Sequence, residues 1–113
     1  MKQQQVVGYN EAIAGSVAND LPRQVTRLLA KNPDYVTLAI GANDVCGWPD
    51  DYDQVREAYK AQLTTQIERI IAARPNVKIM LAPVPNMYNL WNVARDHGSC
   101  QAKWDILGLC SEL

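Results

Sequence analysis

Hydrophobic and polar positions along the chain change period several times, and the changes mark elements. In "DLPRQVTRLLAKNP", Val25, Leu28 and Leu29 recur at the spacing of one helical face, behind Asp20 as an N-cap and Pro22 in a first turn. Asn32 and Pro33 close that helix. "YVTLAIG" then runs β-branched and apolar without polar alternation, which predicts a parallel strand covered on both faces. After "GANDVCGWPDD", read as a loop, Val55, Tyr59, Leu63, Ile67, Ile70 and Ile71 trace a stripe along a long helix. Asp residues at its start and Arg74 at its end suit the helix dipole. "NVKIMLAPVP" is a second buried strand, stopped by Pro83 and Pro85, which remove ladder donors.

The two ends of the chain carry weaker patterns. "VVGY" reads as a short strand feeding a loop, "NEAIAGSVAND", and "MYNLWNV" as a short helix. "ARDHGSCQAKWDILGLCSEL" is loop-like and then apolar around Trp104, Ile106, Leu107 and Leu109. The order helix, strand, helix, strand predicts right-handed crossovers and an α/β fold: helices on the faces of a parallel sheet, in one domain over residues 1–113. No repeat, low-complexity tract or linker interrupts it.

Composition narrows the function. Hydrophobic residues make up 48% and charged residues 20%, an ordinary globular balance. A formal net charge of −1 with both signs interspersed offers no basic stripe for phosphates, so nucleic acid is not an expected partner. No apolar run reaches the roughly 20 residues of a membrane span, and "MKQQQVVGYN" lacks the apolar core of a signal peptide, which leaves localisation open. Cys46, Cys100 and Cys110 are an odd number without CxxC spacing, and with the single His97 they form no recognisable metal set. No metal or other cofactor is expected.

Chemistry concentrates where the first strand ends. Ligands of open α/β sheets bind outside the carboxyl ends of the strands, and "GAND" leaves from such an end. Gly41 permits the turn, and the Asn43 amide is suited to donate toward a developing oxyanion. An Asn–Asp turn that caps the following helix or satisfies loop backbone accounts for the same residues.

"GAND" resembles the GxND block of the SGNH hydrolases, also known as the GDSL esterase and lipase family. "YNEAIAGSVANDLPRQV" is similar to the segment of that family in which a glycine follows a strand and loop and precedes a helix. "LAPVPNMYNLWNV" is similar to the strand and loop that come next in bacterial members. The resemblance implies a three-layer, flavodoxin-like αβα fold and a serine ester hydrolase. It assigns the oxyanion to the Gly15 backbone N–H and the Asn43 side chain, with Asp44 holding the loop. It requires no cofactor and implies a small-molecule or lipid ester as substrate. Members of this type are often secreted.

The 113 residues contain neither the family's GDS block, which carries the nucleophile, nor its DxxH block, which carries the base. The expectation is an internal, incomplete segment, inactive alone, whose remaining sheet exposes an apolar edge and favours self-association. A substitute set from Ser16, Asp96 and His97 fails on geometry, because adjacent Asp96 and His97 side chains diverge. Ser16 reads as a loop or cap hydroxyl, and Ser99 and Ser111 lie in no motif. Cys100 and Cys110 are near enough in sequence for a disulfide in an exported protein, with Cys46 pairing elsewhere, while three reduced thiols fit a cytosolic one. Trp104 reads as core; Trp48 and Trp91 are open between core and an acyl or aromatic pocket. Two other readings stand beside the hydrolase: a noncatalytic α/β binding or interaction module, and a phosphate-binding domain using "AGSVAND" as its loop.

Overall fold

A computed structural model describes residues 5–46, 52–94, 96–100 and 102. A 3-10 turn, Ala18–Asp20, leads into helix α1, Leu21–Leu29. Strand β1 is Tyr35–Leu38, followed by the short helix α2, Ala42–Cys46, and the long helix α3, Tyr52–Ala73. Strand β2, Lys78–Leu81, and helix α4, Met87–Ala94, complete the order. β1 and β2 pair in parallel, Val36 opposite Ile79 and Leu38 opposite Leu81. The chain is thus α/β with a parallel sheet, as expected of an incomplete SGNH-like fold.

The core lies between the sheet and two helices. Val25 of α1, Val36 and Leu38 of β1 and Ile70 of α3 are buried together, with Leu28, Leu29, Ile67, Val77 and Ile79 packed around them. Burying each such aliphatic side chain contributes about 1.5–3 kcal/mol, so this cluster is what joins the helices to the strands. Arg69 reinforces the α1–α3 seam by donating to the Pro22 carbonyl at 3.0 Å and the Thr26 hydroxyl at 2.8 Å.

Several elements differ from the sequence pattern. β1 alternates exposed and buried positions, because α1 and α3 cover the Val36 and Leu38 side while Tyr35 and Thr37 face outward. The expected cover on both faces is therefore absent among the described residues, and β2, read as a second buried strand, has Lys78, Met80 and Leu81 exposed with only Ile79 half-buried. "VVGY" forms no strand: residues 5–13 are irregular and Val6 is 90% exposed. A strand needs a partner's donors and acceptors, and in the described sheet β1 and β2 pair only with each other. The loop expected at "GANDVCGWPDD" begins as helix α2.

The long helix keeps its predicted span, but its buried face is rotated. Ile71 is exposed and Gln66 is buried instead, its side-chain oxygen accepting from Arg69 at 3.3 Å. Ile70 already fills the core-facing position of that turn, and the next residue points about 100° away. Asp20 does stand at the N-cap of α1, yet its carboxylate accepts upstream from the Val17 N–H at 3.0 Å rather than from the helix amides. Asn32 takes a positive φ of 51° as the chain leaves α1, a conformation asparagine tolerates well. Trp48, Trp104 and Cys110 lie outside the described residues; Trp91 is on α4.

Candidate active site

The carboxyl end of β1 turns through Gly41, whose φ is +112°. A Cβ there would lie 2.6 Å from Val84 Cγ2 and 2.7 Å from Tyr59 Cε2, so glycine is required both by backbone conformation and by space. Tyr59 of α3 seals the same turn from the other side, its hydroxyl donating to the Ile40 carbonyl at 3.2 Å. The Val45 N–H closes on the Gly41 carbonyl at 3.1 Å, and this bond starts α2 with Asn43 and Asp44 in its first turn. A strand end, a glycine and a helical turn thereby set the two polar side chains in place.

Both side chains reach a loop far back in the sequence. Asn43 Nδ2 donates to the Ser16 carbonyl at 3.0 Å, across 27 residues. The Asp44 carboxylate accepts the Ala18 N–H with both oxygens at 3.0 Å, across 26 residues. Asp44 therefore holds the loop. These contacts also show the backbone-satisfying role that an Asn–Asp turn offers, acting on the 13–18 loop rather than on the turn itself.

The loop so held presents Gly15. Its φ is +78°, it is exposed, and nothing lies within 4 Å of where a Cβ would be. Its N–H makes no hydrogen bond to the described residues, whereas the next amide, Ser16 N–H, is tied back to the Ile13 carbonyl at 3.3 Å. The Asn43 side chain has two N–H groups, and Ser16 takes one. Asn43 is thus bonded to the residue next to Gly15, which brings the two segments together.

Ser16 has a different part. It is buried, and its hydroxyl accepts from Gln24 Nε2 at 2.9 Å, which anchors the loop to α1. His97 is exposed, its backbone N–H bonded to the Ala94 carbonyl, and no hydrogen bond joins it to Ser16 among the described residues. Nothing in this geometry activates Ser16 as a nucleophile. Among the described residues Cys100 has no disulfide partner, and Cys110 lies outside them. No helix among the described residues is long and apolar enough to cross a membrane.

One group at the site was visible in sequence only as part of an apolar stripe. Tyr59 has its phenol pKa raised from 10.0, first by burial and then by the charge of Asp44. A tyrosine inside an otherwise aliphatic helix face was the available signal, because a buried phenol O–H needs a partner.

The family model for GDSL-like lipases and acylhydrolases matches residues 2–105, which takes in the Gly15 loop, the Gly41 turn and both strands. The chain belongs to the GDSL-like lipase/acylhydrolase family. No curated protein and no solved structure matches it. For a GDSL-like chain the placement is coherent: the two segments that resemble the family's glycine and GxND blocks are hydrogen-bonded to each other at the carboxyl end of the sheet. Enzymes of the GDSL-like family act on esters.

Proposed function

We propose that this chain supplies the oxyanion donors of an SGNH-type carboxylic ester hydrolase, the Gly15 backbone N–H and the Asn43 side-chain amide. The observation that carries the reading is the Gly15 amide, without a hydrogen bond among the described residues and at a positive φ, on a loop that Asn43 and Asp44 clip to the strand end. Preorganised N–H donors aimed at a developing negative charge cost no reorganisation during reaction, and one such donor is worth roughly two to three orders of magnitude in kcat. In the family that the chain resembles, a serine attacks the ester carbonyl and histidine moves its proton. Neither a GDS nor a DxxH block occurs in these residues. The chain alone is therefore inert or nearly so, since loss of a triad member costs about four or more orders of magnitude. The substrate class is a small-molecule or lipid ester.

A second reading, a noncatalytic binding or interaction module, has one observation in its favour: Asn43 and Asp44 both bond loop backbone, a structural role complete in itself. The test of the first reading is hydrolysis of p-nitrophenyl acetate and butyrate by the purified chain beside its Ser16→Ala variant. Equal background rates are expected. Turnover that disappears with Ser16 would overturn it, because Ser16 would then be the nucleophile.

The open sheet supports self-association as part of the same proposal. β1 and β2 each leave one edge unpaired in the described sheet, and Tyr35, Met80 and Leu81 are exposed on or beside it. Light scattering across a concentration series should show mass rising above that of a monomer; a constant monomer mass would contradict it.

A further inference from the structure

The turn that delivers Asn43 is held by contacts that its own sequence does not contain. Gly41 is buried, and the ring of Tyr59 fills the space against it, with Val84 on another side. The Tyr59 hydroxyl donates to the Ile40 carbonyl, a half-buried group beyond the β1 ladder for which the described residues offer no other hydrogen bond. From the same turn Asp44 reaches Ala18 and Asn43 reaches Ser16, so whatever fixes residues 40–41 also fixes how the Gly15 loop sits.

We infer that Tyr59 is a positioning residue for the Gly15 and Asn43 pair: its ring and hydroxyl hold the Ile40–Gly41 turn from which the clip to the Gly15 loop extends. The inference rests on the oxyanion reading for its consequence in catalysis, but the holding itself is independent of any chemistry. Its signature is local. Losing the hydroxyl loosens the carboxyl end of the sheet and leaves the amino end unchanged, whereas a residue that merely stabilises the fold would loosen both. The burial and the nearby Asp44 charge, which together raise the phenol pKa, agree with a hydroxyl that stays protonated and donating.

Amide hydrogen exchange on the full chain tests this in a Tyr59→Phe variant, which keeps the ring and removes only the hydroxyl. Two amides report the site end: Ala18, bonded to Asp44, and Val45, bonded to Gly41. Two report the far end: Arg74, bonded to Ile70, and Lys78, bonded to Asp34. The expected result is exchange at Ala18 and Val45 about five-fold faster, the scale of one lost hydrogen bond, with Arg74 and Lys78 unchanged. Unchanged exchange at Ala18 and Val45 would overturn the inference, and so would equal acceleration at all four. No catalysis enters this readout, so its failure is distinct from a failure of the oxyanion reading, which shows instead as normal turnover without Asn43 in a complete active site.

Discussion

The two ends of the sheet are built from different materials. At the amino end, Arg74 closes the crossover by pairing with Asp34 at 2.9 Å and donating to the Pro33 carbonyl at 3.2 Å, beside a cleft of about 190 Å³ lined by Asp34, Ala73, Arg74, Pro75, Asn76 and Val77. Opposite charges there satisfy each other next to solvent, and the Asp34 side chain is 96% exposed. At the carboxyl end, a neutral amide, one carboxylate and a phenol bond backbone groups, around two glycines at positive φ. Charge pairs satisfy each other, while backbone clips made by side chains can leave a donor over, and the proposed function draws on that difference.

The contrast can be broken by substitution, and the largest effect belongs to Gly41. Gly41→Ala forces a Cβ to within 2.7 Å of the Tyr59 ring at a φ that L-residues avoid, and should cost about 3 kcal/mol or more. Urea unfolding would show this as a lower midpoint; a midpoint equal to that of the parent would mean the turn is not closely packed. Asp44→Ala comes next. It leaves the Ala18 N–H without its acceptor and should cost about 1–3 kcal/mol, with faster exchange at Ala18 than at Lys78.

Alkaline pH probes the same end through Tyr59. Its folded pKa is raised above the ordinary 10.0, so the stability it contributes is whole below pH 10 and is lost as pH climbs toward the folded value. Absorbance titration, taken as the difference between the parent and Tyr59→Phe, should find one late-ionising tyrosine. Asp44→Asn should bring that ionisation earlier, though not fully to 10.0, since burial is the larger cause. The smallest effect belongs to the amino end: Arg74→Ala, which breaks an exposed ion pair and one backbone contact, should lower stability by no more than about 1 kcal/mol. A larger loss there than for Asp44→Ala would reverse the comparison.

The parts of this fold legible in sequence are those written as local periodicity. α1, α3 and the two strands follow from apolar spacing, breakers and dipole-suited ends. The parts that were not legible depend on what packs alongside. "YVTLAIG" has the composition of a strand buried on both sides, but burial is decided by neighbours, and in the described residues only the Val36 and Leu38 face has them. "VVGY" has strand-forming residues without a strand beside it. Gln66 replaces Ile71 on the inner face because the helix period places residues 66 and 70 over the core.

At the site, the contrast is between residue type and residue contact. Gly15, Asn43 and Asp44 stand out in short motifs, since only certain residues permit such turns or reach loop backbone in that way. Their partners were not, because a hydrogen bond from Asn43 to the Ser16 carbonyl crosses 27 residues and depends on how β1 and α1 pack. In sequence Tyr59 is one position of a six-residue apolar stripe, and the partner of its hydroxyl, the Ile40 carbonyl, lies 19 residues away.

The most direct test of the donor assignment is kcat for Asn43→Ala when this segment is joined to a GDS-bearing first strand and a DxxH-bearing tail from an active family member. The account predicts a fall of about 10²–10³-fold in kcat with the thermal midpoint little changed. Near-normal turnover in that variant would contradict it, and would leave Asn43 as a clip for the Gly15 loop and nothing more.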